Sequence, residues 1–311
     1  MKKLFLLLFL SLSTGLLFTA CNDDDDNTPQ SVVDLAQSNA DLSILVDALV
    51  RADLVTTLDG PGPFTVLAPT NAAFTTLLSN LGFNSLNDVP VDVLRNILLN
   101  HVISGDVRSG ALTTGYVSTL AKGPNDSPIS LYVDVTSGVK FNGTATVTTA
   151  DVVGTNGVVH IIDQVITIPT VVTHALSNPN FSILVAALTR ADLGVDYVSL
   201  LSGNGPFTVF APTNDAFTAL LTELGANSLN DIPAATLNSV LQYHVVSGAN
   251  VRSTQLTNGQ QVTTYQGGTF TIDLSDGAKI TDGQNRVTSI IAVDVQGGNG
   301  VVHAIDRVIL P

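Results

Sequence analysis

The chain has 311 residues, which suits about two domains. Its 12 Lys and Arg face 26 Asp and Glu, a formal net charge of −14. No stretch interleaves basic and aromatic side chains, so a phosphate backbone would be repelled and nucleic acid is excluded as a partner.

In chain order, the first feature is a secretory leader over residues 1–20. Lys2 and Lys3 form a positive n-region, and Leu4 to Phe18 is apolar apart from small polar residues. That run is shorter than the roughly 20 residues a membrane-spanning helix needs. Cys21, the one cysteine, follows it, so no disulfide forms within the chain. Ordinary signal-peptidase cleavage wants a small residue at −3, where Phe18 is bulky. Phe18-Thr19-Ala20-Cys21 instead resembles the bacterial lipobox, departing from it at Phe18, where Leu is usual. The resemblance implies a lipid-modified Cys21; the alternative is cleavage elsewhere and an incidental cysteine. Residues 21–30 contain Asp23 to Asp26, whose mutual repulsion extends the chain as a tether. An acidic run behind a lipidated cysteine also resembles the surface-export signal of some Gram-negative lipoproteins. The expectation is an outer membrane lipoprotein held to the membrane through Cys21 and facing the cell exterior, with a periplasm-facing envelope-maintenance or glycan-binding module as the alternative.

Beyond the tether the sequence repeats itself. Thr65-Val-Leu-Ala-Pro-Thr-Asn-Ala-Ala-Phe74 returns 143 residues on as Thr208-Val-Phe-Ala-Pro-Thr-Asn-Asp-Ala-Phe217. At the same offset Asn84-Ser-Leu-Asn-Asp-Val-Pro90 returns at Asn227 to Pro233, and Asn156-Gly-Val-Val-His-Ile-Ile-Asp163 at Asn299 to Asp306. Leu42 to Val46 recurs only 139 residues on, at Phe181 to Val185, so the second copy gains four residues after its first helix. A period this long marks a duplicated domain, not a solenoid. The copies span 31–169 and 171–311, and the short joint around Pro169 to Asn178 makes them adjacent units of limited mobility.

Within each copy, Leu42, Leu45, Val46, Leu49 and Val50 lie at helical spacing, with Asp41 as N-cap; Phe181, Leu184, Val185 and Leu188 repeat the stripe. Phe64 to Ala68 and Phe207 to Ala211 read as buried strands closed by Pro69 and Pro212. Thr70 or Asn71, and Thr213 or Asn214, cap a second helix carrying Phe74 or Phe217 inward. Pro90 and Pro233 suit the first turn of a third. After His101 and His244 the texture turns to Thr, Val, Gly and Asp with alternation and Asn-Gly or Asp-Gly turns, ending on the apolar strands Val158 to Ile168 and Val301 to Leu310. Helices first and strands afterwards make each unit α+β.

Little in the chain points to catalysis. His101, His160, His244 and His303 invite a metal or acid–base role, yet each lies beside apolar residues and no zinc spacing is present, so a core hydrogen-bonding role is expected of them. There is no nucleophile elbow and no phosphate-binding glycine loop. Of the 26 acids 25 are Asp, scattered at turns and caps where Asp serves the backbone; calcium at such a turn lacks an EF-type loop. The expectation is a protein with no cofactor and no metal, and not an enzyme.

The repeated boxes resemble the fasciclin domain family: Thr208 to Phe217 is similar to its first signature box, and Asn299 to Asp306 with Val308 to Pro311 to its closing box. The resemblance covers the chain beyond the tether. It implies two tandem domains, each a wedge of β-strands flanked by short helices, and a role in cell adhesion through matrix, glycan or surface-protein partners. The Tyr-His pair tied to adhesion in some animal members is matched by Tyr243 and His244; the first copy has Asn100 and His101. A second animal motif, Asp before an aliphatic residue, is matched at Asp151-Val152 and Asp294-Val295, with departing flanks. Tyr243 also has a purely packing reading, ring face buried and hydroxyl bonded.

Overall fold

The structure is a computed structural model that describes residues 29–311; the leader, Cys21 and the acidic run lie outside the described residues. The first domain runs α1 (Val32–Gln37), α2 (Ser43–Arg51), α3 (Val55–Asp59), β1 (Phe64–Pro69), α4 (Asn71–Leu81), α5 (Val91–Leu99), β2 (Val102–Ser104), β3 (Gly115–Lys122), β4 (Pro128–Asp134), β5 (Lys140–Phe141), β6 (Ala145–Gly154) and β7 (Gly157–Ile162). The second repeats this as α6 (Val171–Ser177), α7 (Ser182–Leu188), α8 (Tyr197–Ser202), β8 (Phe207–Pro212), α9 (Asn214–Leu224), α10 (Ala234–Tyr243), β9 (Val245–Ser247), β10 (Gln261–Thr263), β11 (Thr269–Asp273), β12 (Lys279–Thr281), β13 (Val287–Gly297) and β14 (Gly300–Ile305). Each domain is α+β, and the strands β1 to β7 close into a barrel. In the second domain the same strands form a seven-stranded sheet whose ends are β10 and β9.

The two boxes of each copy form neighbouring strands. β1 pairs parallel with β7 from Phe64 opposite Gly157 to Pro69 opposite Ile162, and β8 pairs parallel with β14 from Phe207 opposite Gly300. Both faces of these strands are covered, which explains why they read as unbroken apolar runs. Val66 and Ala68 face the helices with Leu45, Leu49, Phe74 and Leu98, while Leu67 joins Leu131, Val133, Phe141 and Ile162 inside the barrel. At the first rung the backbones touch. A Cβ on Gly157 would stand 2.0 Å from the Phe64 carbonyl oxygen, and one on Gly300 2.3 Å from that of Phe207, so only glycine fits.

The neighbouring Asn makes the rung a staple. The Asn299 side-chain carbonyl accepts from the Val171 N–H at 3.0 Å, and its amide donates to the carbonyls of Leu201 at 2.8 Å and Gly203 at 2.7 Å. Asn156 does the same to Val32, Leu58 and Gly60. The closing box therefore ties the first and third helices of each copy to the sheet.

The Thr-Asn turn divides its labour between two helices. Thr70 caps α4 by accepting from Ala73 N–H, whereas Asn71 accepts from Ile44 N–H at 2.9 Å and so caps α2 across the fold. Thr213 and Asn214 repeat both roles on Ala216 and Ile183. Asp41 does not cap α2: Asn39 caps a short 3-10 turn there, and the helix begins two residues later at Ser43. Val50 also leaves its stripe and is 63% exposed. Pro90 and Pro233 do not enter the first turn but precede α5 and α10 by one position, as their N-caps.

The joint between the domains is buried. The extended hairpin of β3 and β4 lies against α6 and the end of β13, so closely that a Cβ on Gly123 would stand 2.8 Å from the Gly297 carbonyl oxygen. Gln296 N–H donates to Ser130 Oγ at 3.0 Å, and Ser177 Oγ donates to the Asn142 carbonyl at 3.0 Å. At the corresponding rungs of the second domain Tyr116 and Tyr132 are replaced by Gln261 and Thr271.

Asn299→Ala strands three backbone groups in or near the core at about 1 kcal/mol or more each. Urea unfolding should therefore show a loss of about 3 kcal/mol; a loss within 0.5 kcal/mol, the ordinary range for surface sites, would remove the staple from the account.

Candidate functional site

Tyr243 ends α10, and the turn behind it drives its ring into the sheet interior with Phe210 and Phe270. It is fully buried, and its hydroxyl donates to the Thr269 carbonyl at 2.6 Å. His244 is buried next to it; Nδ1–H donates to the Val240 carbonyl at 2.7 Å and Nε2 accepts from Ile309 N–H at 3.1 Å. Asn100, in place of the tyrosine, is equally buried and bonds the carbonyls of Ile166 and Thr167. The Tyr-His pair thus presents no surface to a partner in this conformation.

The other paired histidines follow the same logic. His101 spans the Ile97 carbonyl and Ile166 N–H. His160 spans the Val107 carbonyl and Asp151 N–H, and His303 spans the Val251 carbonyl and Asp294 N–H. In each ring one nitrogen donates and the other accepts, so no lone pair is free for a metal. Burial pushes His101 and His244 down to about 4, and lowers His303 as well.

Asp151 and Asp294 sit in bulges of β6 and β13, each at a φ of 61°, a left-handed conformation that Asp tolerates better than most residues. Each carboxylate is pinned to the 3-10 turn that follows β2 or β9. Asp294 accepts from Ser253 N–H at 2.8 Å and Ser253 Oγ at 2.6 Å, with Arg252 at 3.4 Å. Asp151 holds Ser109 in the same way, and the Ser109 hydroxyl and N–H keep its carboxyl below the ordinary range. For Asp294 burial pushes the carboxyl up, but the Ser253 bonds and Arg252 outweigh it and the net shift is downward. Val152 is half-buried and Val295 is buried, so the aliphatic half of each motif faces the protein.

What reaches water is the residue run just before the aspartate. In β13 Ile291, Ala292 and Val293 are exposed, Ile291 at 56% and Val293 at 42%. The corresponding residues of β6 are Thr148, Thr149 and Ala150. A rigid bulge thus holds an apolar tripeptide outward in one copy and a polar one in the other. Comparing the copies at this position, not at the Tyr-His pair, would have singled it out.

His174 is the other residue that motif reading passed over. It lies on α6 where the first copy has Leu35, and is fully buried in the joint. The signal was available: it is the one histidine of the five without a counterpart in the other copy.

Two copies of a helix-flanked, seven-stranded α+β domain, each closed by a parallel pair of signature strands, define the class. The fasciclin domain model matches residues 40–169 and 179–311, and the chain belongs to that family. Protein sll1483 of Synechocystis is 43% identical over 143 residues, 46% of this chain and 73% of that protein. Human periostin is 30% identical over 262 residues, covering 82% of this chain and 29% of its own length. Transforming growth factor-beta-induced protein ig-h3 of Sus scrofa is 29% identical over 259 residues, covering 82% and 35%. The chain therefore spans about a third of these two animal relatives. A FAS1 domain pair from the insect cell adhesion molecule fasciclin I shares the fold, with a TM-score of 0.55 and 21% identity over 88% of this chain and 98% of that one.

A histidine with a lowered folded pKa contributes stability that is complete above its unfolded value of 6.5 and is lost as pH falls toward about 4. Urea unfolding at pH 7 and pH 4.5 should differ by about 2 kcal/mol per such histidine. Equal stability at the two pH values would contradict the neutral, doubly bonded rings.

Proposed function

We propose that this is a lipid-anchored cell-surface adhesion protein that engages matrix, glycan or surface-protein partners without catalysis, through the bulge of β13. The exposed run Ile291 to Val293 carries the reading. Three apolar residues in water beside a pinned carboxylate serve no packing purpose, whereas partner contacts gain from apolar anchors held in place before binding.

Two further observations support a binding role over an enzymatic one. Fasciclin domains occur in adhesion proteins, as the insect molecule's description states of that protein. The four paired histidines, the side chains best suited to acid–base chemistry, spend both ring nitrogens on backbone groups. The anchor rests on the lipobox-like Phe18 to Cys21 and the acidic run behind it, which together would hold the domain pair outside the membrane.

The double variant Ile291→Ser, Val293→Ser alters side chains already in water, so its urea midpoint should match the parent. Attachment of cells, or binding of the purified chain to an array of glycans and matrix proteins, should fall at least about tenfold, the 1.4 kcal/mol expected of one lost anchor. Unchanged binding would move the site elsewhere. Cys21→Ala should release the protein from membranes, and protease added to intact cells should cut the parent chain. Membrane retention by the variant would end the anchor proposal. Protection from protease would favour the periplasm-facing alternative.

A further inference from the structure

The joint contains a buried histidine that its surroundings accept only in the neutral form. His174 Nε2–H donates to the Gln296 carbonyl at 3.1 Å, while Nδ1 is buried and has no hydrogen-bond partner. Its ring meets Tyr116 edge-on, centroids 5.6 Å apart, and Tyr132 stands 5.2 Å behind Tyr116. Tyr116 hydroxyl donates to the His174 carbonyl at 3.4 Å and accepts from Asn178 Nδ2 at 3.3 Å. His174 and Gln296 thus come from the second domain, and the two tyrosines from the β3–β4 hairpin of the first.

The polar groups facing the ring can be taken element by element. From β3 and β4 come Tyr116 and Tyr132; burial pushes Tyr116 up to about 12, so it stays uncharged. From β13 comes only the Gln296 carbonyl, already accepting from Nε2. From α6 itself and the turn after it come Ser177, bonded to the Asn142 and Thr173 carbonyls, and Asn178. Among the described residues no carboxylate, lysine or guanidinium acts on His174.

We propose that this joint is an acid-released latch: protonation of His174 Nδ1 places an uncompensated charge between the domains and frees the β3–β4 hairpin from α6 and β13, leaving two folded domains on a hinge. A second proton makes Nδ1 a donor with no acceptor within reach, and a buried charge without a partner is costly. Opening the joint returns the ring to water, where either form is solvated. The latch is specific to the contact between the two copies. At the equivalent places the first copy has Leu35 for His174 and Val153 for Gln296, while the second has Gln261 for Tyr116.

The direction follows from linkage. Burial, the largest influence, holds His174 at about 4 in the closed joint, against 6.5 for a solvated ring. The closed state is therefore fully favoured above pH 6.5 and loses its advantage as pH falls toward 4, by a factor on the order of a hundred in the closed-to-open ratio.

The test measures the distance between spin labels at Asn80→Cys and Leu224→Cys in the full chain, with Cys21→Ser so that only those positions are labelled. Both sites are exposed and lie in different domains. One narrow distance is expected at pH 7.5, broadening between pH 6.5 and 4.5 while circular dichroism still reports folded domains. His174→Gln keeps a donor for the Gln296 carbonyl but cannot titrate, and should stay narrow at pH 4.5. If that variant is already broad at pH 7.5, His174→Leu, the first copy's residue, serves as the non-titrating control. A distance in the parent chain that stays narrow until the domains unfold overturns the latch. So does broadening of the non-titrating variant in step with the parent.

Discussion

The parallel rung where Phe207 meets Gly300, and Phe64 meets Gly157, is the constraint on which each domain depends. It joins two boxes some ninety positions apart in sequence, so its closure encloses nearly everything between them. Parallel neighbours need a long crossover, and here the crossover contains the rest of the domain. Glycine permits the approach, and the adjacent asparagine uses it to hold two helices by their backbones. The remaining box residues serve the same junction: the Thr-Asn pair leaving β1 or β8 caps one helix locally and another across the fold. The histidine in mid-strand braces the aspartate bulge through its N–H.

This arrangement explains which parts of the architecture were legible in the sequence. Duplication, helix-then-strand order and the inward phenylalanines follow from periodicity and repetition alone. The division of labour between Thr70 and Asn71 does not, because the recipient of the asparagine bond is 27 residues away. Asp41 failed as a cap for a related reason. A local pattern offers several capping residues, and the one used depends on which helix end another segment brings within reach. The site was less legible still. Tyr243 stood out because a family motif pointed at it, yet the ring packs against Phe270 and its hydroxyl is spent on a backbone carbonyl.

Residues that differ between the copies fall into two sets with separate physical meanings. One set builds the joint: His174, Gln296, Tyr116, Tyr132 and the longer β3–β4 hairpin occur only on the sides that meet. If both copies carried both faces, a second chain could dock head to tail on the free ends, and such a heterologous contact need not close. Replacing Tyr116 and Tyr132 by Gln261 and Thr271 removes the receiving face from the second domain, and Leu35 and Val153 alter the docking face of the first. The asymmetry thus favours one pairing within the chain over repeated pairing between chains.

The second set is the tripeptide before each bulge aspartate, apolar at Ile291 to Val293 and polar at Thr148 to Ala150. A closed joint holds these two bulges at a fixed separation, and fixed separation decides how the pair can gain from being double. Two sites on a flexible linker reach many partner spacings, whereas two on a rigid block gain avidity only when the partner's spacing matches. With the bulges unlike in chemistry, the rigid pair is better suited to one apolar contact on the second domain. In the proposed function the first domain would then be the spacer between that contact and the tether. A hinge at the joint would change the orientation of that proposed contact relative to the proposed anchor without altering the contact itself, so the proposed latch and the proposed binding surface can be tested separately.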